Sequence, residues 1–179
     1  MTVRMWLRLA SVLAIAALVQ VAILDGIVVA GAHPDLMLTV AIAAGLALGA
    51  QRGAVVGFVA GLVADLFLPT PFGLSALSFV LVAFFVGLAS ALSGGRASIA
   101  AQLTTALLAG IGGTLLFAVL ATLIGQPSLP RHDLVQVVAM VSAGCIVLIV
   151  PAHRAIEWSA LALSGARRDP SAFVAGTAR

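Results

Sequence analysis

Residues 45–77 read GLALGAQRGAVVGFVAGLVADLFLPTPFGLSAL, with glycines at 45, 49, 53, 57 and 61, and the next step of four lands on Asp65. Residues four apart share one face of a helix. Gly45, Gly49, Gly53, Gly57 and Gly61 therefore form a stripe without side chains that ends in a carboxylate. Such a stripe lets another helix approach backbone to backbone, as small residues do in lipid. Gln51-Arg52-Gly53 interrupts the apolar run and predicts a tight polar turn between two short helices. One helix from residue 34 to 68 would be ~52 Å long, too long for a single ~30 Å crossing, and would carry Arg52 into mid-membrane. Pro69-Thr70-Pro71 then forbids regular helix. Whether the stripe meets the chain's own helices or another protein is open at this point.

The composition decides the class. The 179 residues are 63% hydrophobic and 8% charged, against about a quarter charged in soluble domains, and mean hydropathy is +1.24. Apolar runs of about twenty residues recur from end to end, each enough for one crossing. The expected fold class is an all-α integral membrane protein of about six transmembrane helices. These are placed near residues 5–29, 34–50, 53–68, 74–92, 98–125 and 133–150. Pro151 is expected to break the last run, leaving an amphipathic continuation with Trp158 at the interface. The chain reads as one polytopic domain over 1–163 with a disordered cytoplasmic tail over 164–179. Ala30-Gly31-Ala32 looks like a signal-peptide cleavage site, but the apolar run before it exceeds the usual 7–15 residues, so a retained first helix is favoured.

Arginines orient the bundle. With six spans and an internal N-terminus, Arg4, Arg8, Arg52, Arg96, Arg154, Arg167, Arg168 and Arg179 fall inside and Arg131 alone outside, which the positive-inside rule reads as N-in, C-in. A net charge of +3 is too small to argue for nucleic acid.

Catalytic signatures are missing: no P-loop, HExxH or GxSxG is present, and His33, His132 and His153 are scattered. No enzyme, cofactor or metal is expected. Cys145 reads as a packing residue. Gln20, Gln102, Thr104, Thr105, Thr114 and Gln136 read as bonded to neighbouring backbone, with a polar groove as the alternative. Asp65 is the ionisable residue that matters, ~18 Å along the helix from Gly53. Three readings stand: it reaches the outer interface and caps the following loop, it tethers that loop through backbone N–H groups, or it contacts a partner subunit. Proton coupling would want a second intramembrane acid or base.

Pro34-Asp35 at the start of a span, Arg52-Gly53, Gly57, Gly61 and Asp65, followed by Pro71, Phe72-Gly73-Leu74 and Ala76-Leu77, together resemble the rod shape-determining protein MreD family. The motif-bearing likeness covers residues 34 to 95. The resemblance implies a non-enzymatic multi-pass subunit of the bacterial cytoplasmic membrane, similar in fold to the S component of energy-coupling-factor transporters. It implies work with MreC, with RodA and a class B penicillin-binding protein, and indirectly with MreB, in side-wall peptidoglycan synthesis. The expected role is a scaffold that docks MreC, and also a second copy of itself, through the glycine face and the 65–73 loop. The alternative is an S-component-like vitamin-binding subunit, with Ala10 and Ala14 as its docking face.

Overall fold

The structure, a computed structural model, describes residues 3–24, 26, 33–67, 71–93, 98–125 and 131–160. Six α-helices follow one another: α1 Val3–Val19, α2 Leu36–Leu48, α3 Ala50–Asp65, α4 Leu74–Leu92, α5 Ile99–Leu123 and α6 Arg131–Ala160. α1 runs on into one wide π-helical turn, Gln20–Leu24. Asp25, Pro69, Arg96 and the tail from residue 161 lie outside the described residues.

Among the described residues, four stretches are long and apolar enough to cross a membrane: Met5–Leu24, Leu74–Leu92, Ile99–Leu123 and Asp133–Ala160. The two helices of the glycine region are shorter. Thirteen and sixteen residues span only ~20 and ~24 Å, less than the ~30 Å hydrocarbon core. Among the described residues six α-helices are present, and four of the stretches have spanning length. The reason for the short α2 is its position. Every residue from Leu36 to Leu46 is buried, and α2 touches all five other helices. A helix sheathed in protein has no lipid thickness to match.

The break between α2 and α3 falls two residues earlier than the polar triplet predicts. A single residue, Gly49, ends one helix and begins the next at φ 79°, a region open to glycine and strained for other residues. Backbone freedom therefore sets the turn. Gln51 and Arg52 sit exposed in the first turn of α3.

From that turn α3 doubles back on α2, with Gly53 against Gly45. A Cβ built on Gly53 would lie 2.7 Å from the Gly45 Cα, and one on Gly57 would lie 2.6 Å from the Phe79 carbonyl oxygen. One on Gly61 would strike the Ala76 backbone. α3 is thus antiparallel to both α2 and α4, and α2 and α4 begin at the same end of the bundle. At Gly45, Gly53, Gly57 and Gly61 the stripe packs against the protein's own helices, while Gly49 forms the turn.

The flanking helices are attached more loosely. α5 buries only Ala106, Gly110 and Gly113 and pairs with α6. α1 buries Met5 and Leu9, and its Arg8 guanidinium lies over the Trp158 ring at 4.8 Å. Pro151 does not end α6, which continues to Ala160. The ring removes one backbone bond, but Ala152, His153 and Ile156 are buried beyond it, and this packing holds the last turns in line. Glu157 reaches back one turn to His153 Nδ1 at 3.6 Å.

Gly61→Ala should lower the melting temperature of the detergent-purified protein by several degrees, because overpacking costs about 1–3 kcal/mol. Gly112→Ala, where an added methyl meets nothing within 4 Å, should leave it unchanged. Equal melting of the two variants would refute the backbone-contact reading.

Candidate functional site

Buried and half-buried polar residues, Gln20, His33, Asp35, Thr39, Asp65 and Ser75 among them, gather where α2 and α4 begin. A helix start leaves its first N–H groups without intrahelical partners, and within an apolar environment those donors need acceptors from elsewhere. Gly73, which opens α4 at φ 99°, has no side chain to supply one. Asp65 does so from the last position of α3. Its Oδ2 accepts from Gly73 N–H (2.8 Å) and Ala76 N–H (3.3 Å), and its Oδ1 accepts from Ser75 N–H (3.0 Å). At 4% exposure the carboxylate is enclosed by these donors. Of the readings open for Asp65, the tether to backbone N–H groups is the one found. Pro71 is half-buried and its carbonyl accepts from Leu74 N–H at 3.3 Å, while Phe72 is exposed.

The start of α2 is built in the same way. Asp35 is the capping residue, its Oδ1 accepting from Leu38 N–H at 2.9 Å. The helix therefore begins at Leu36, and Pro34, which the sequence places in its first turn, precedes the cap. Gln20 is a second clamp. From the π-helical turn of the first span, its Oε1 accepts from Leu36 N–H (2.8 Å) and its Nε2 donates to the Pro34 carbonyl (3.1 Å). Gln20 is visible in the sequence as a polar break in an apolar run. Its partners, fourteen and sixteen residues away, have no local periodicity that would reveal them. His33 lies beside it, Nδ1 3.5 Å from Gln20 Nε2. Thr39 donates to the Asp35 carbonyl at 2.8 Å and lies 3.4 Å from the buried Cys145 sulfur.

Two hollows flank this polar group, and His33 and Asp35 line both. The smaller, about 90 Å³, is also bounded by Ala17, Gln20, Met37 and Phe67. The larger, about 190 Å³, lies between α2, α4, α5 and α6. Among the described residues no group of three or more His, Cys, Asp or Glu side chains is placed to hold a metal. The carboxylates of Asp35 and Asp65 serve as acceptors for helix starts. Chemically, the site joins α1 to α2 and α3 to α4.

Residues 1–151 match the family of the rod shape-determining protein MreD. The chain belongs to the MreD family. Membership points to a role in rod-shape determination, and the match covers α1 to α5 and most of α6. No curated protein and no solved structure matches it significantly. In this member of the family, Asp35, Gly49, Gly53, Gly57, Gly61, Asp65 and Gly73 all occupy helix starts, turns or helix contacts.

Asp65→Ala should destabilise the protein strongly, since each buried donor left without an acceptor costs about 1–3 kcal/mol. Asp65→Asn, which keeps one acceptor oxygen, should fall between the two. Hydrogen exchange at Gly73, Ser75 and Ala76 should quicken in the same order, and protection unaltered in Asp65→Ala would exclude the tether.

Proposed function

We propose that this protein is a non-enzymatic, multi-pass scaffold of the bacterial cytoplasmic membrane, one that docks MreC and so helps to position side-wall peptidoglycan synthesis. Membership of the MreD family is the observation that carries the reading. In it, residues 1–163 form one polytopic unit of six membrane-inserted helices with both termini inside. RodA and the class B penicillin-binding protein join through the assembled complex, and MreB joins indirectly. The arrangement of polar groups supports a structural role, because the Asp65 and Asp35 carboxylates and the Gln20 amide bind backbone at helix starts. The arginine distribution supports the orientation.

The docking face moves in this reading from the glycine stripe, which α2 and α4 cover, to α6. One side of α6 exposes Gln136, Ala139, Ala143 and Val147. Two alanines four residues apart let a single partner helix approach closely, and a glutamine adds an interhelical hydrogen bond of about 1 kcal/mol in lipid. Exposure also makes the face separable from the fold. Large residues there should disturb association and leave folding intact, the reverse of large residues at Gly57.

Ala139→Trp with Ala143→Trp should cut recovery of MreC with the tagged protein at least tenfold from native membranes in mild detergent. Insertion and melting should not change. Full recovery of MreC would exclude this face, and loss of a homodimer with MreC retained would assign it to self-association.

A further inference from the structure

The larger hollow contains a feature that helix capping leaves unexplained. Ser75, in the first turn of α4, lines it and is 1% exposed, yet its Oγ has no hydrogen-bond partner among the described residues. Serines and threonines in apolar helices usually donate to the carbonyl three or four residues back. Ser78 does so to Leu74 at 3.0 Å, and Thr114 to Gly110 at 2.8 Å. Ser75 makes no such bond to the carbonyl of Pro71 or Phe72. Its own N–H is held by Asp65. The hydroxyl thus lies buried at the cavity wall without a hydrogen bond among the described residues, and a buried polar group in that state is costly unless something supplies its partner.

The walls indicate what would supply it. Leu38, Phe79, Phe117 and Val141 make most of the lining apolar, while His33 and Asp35 join Ser75 as polar groups. At about 190 Å³, the space exceeds the ~150 Å³ apolar cavity that stays dry and accepts benzene. It lies at the seam between the α5–α6 pair and the α2–α4 core, and three of these helices, α4, α5 and α6, have membrane-spanning length. The apolar molecule at hand there is a lipid chain. We propose that this seam is a binding site for one membrane phospholipid, its acyl chain against Phe79 and Phe117 and its polar head bonded to Ser75, His33 and Asp35. A carboxyl group at the polar end favours a head that carries an ammonium or hydroxyl donor.

The test uses the full chain in nanodiscs containing phosphatidylethanolamine with a diazirine in its acyl chain. Photolabelling should concentrate on the peptides around Phe79, Phe117 and Val141, above the level at the exposed Phe85 of α4. Val137→Trp, at a half-exposed lining position, should reduce seam labelling at least fivefold and leave Phe85 labelling unchanged. Ser75→Ala gives an independent measure. Without lipid it should melt at or above the wild-type temperature, because the unpaired hydroxyl is gone, and added phosphatidylethanolamine should raise its melting temperature less than that of the wild type. Seam labelling no stronger than at Phe85, or unmoved by Val137→Trp, would reduce the lipid to bulk solvent and overturn the site. An equal lipid-induced melting shift in Ser75→Ala would overturn the role of the hydroxyl. Neither result bears on recovery of MreC.

Discussion

The contact on which the rest depends is that of α3 with its two neighbours. At Gly53, Gly57 and Gly61 the backbone of α3 lies against α2 or α4 at distances that exclude a Cβ. In lipid the gain comes from dispersion over closely matched backbones, since apolar side chains find as good a solvent in the surrounding chains. Once α3 is fixed this way, α2 has no side open to lipid and becomes the bundle's axis. The same contact brings the end of α3 beside the start of α4, so Asp65 can reach three N–H groups that belong to another helix. Glycine spacing and carboxylate are parts of a single device: the first sets the distance, the second completes the polar bonding that this distance allows.

The start of α2 repeats the device with different residues. There the cap is local, Asp35 onto Leu38, and the distant tie comes from Gln20 on the first span. The starts of α2 and α4 are thus each held by a side chain from a helix that precedes them in the chain. The Asp35 and Asp65 carboxylates are both taken up by backbone N–H groups, so the polar bonding at this end of the bundle is structural.

Much of this was legible in the sequence, and the parts that were not share one cause. The helical class, the helix order, α4 almost to the residue, the glycine spacing and the weight on Asp65 all follow from periodicity and composition, which are local. The turn at Gly49 was misplaced because polarity at Gln51–Gly53 outweighed a φ value that only glycine adopts cheaply. α6 runs through Pro151 because buried residues on both sides hold it, and burial is a property of the whole fold. Gln20 carries no positional signal pointing to Leu36. The stripe's own partner was undecidable for the same reason, since spacing alone does not distinguish an internal neighbour from an external one.

The short third helix has an effect beyond the protein itself. α3 turns Val55 and Phe58 outward over a helix of ~24 Å, whereas α5 presents an apolar length of ~37 Å with Leu108, Leu115 and Val119 exposed. Lipid bordering the two sides meets walls of unequal height. Bilayers accommodate such mismatch by thinning beside a short wall and by tilt or thickening beside a long one, at fractions of a kcal/mol per Å. In a bilayer the two sides of the protein would therefore favour different local thickness, and neighbouring helices of matching length would be favoured on one side or the other.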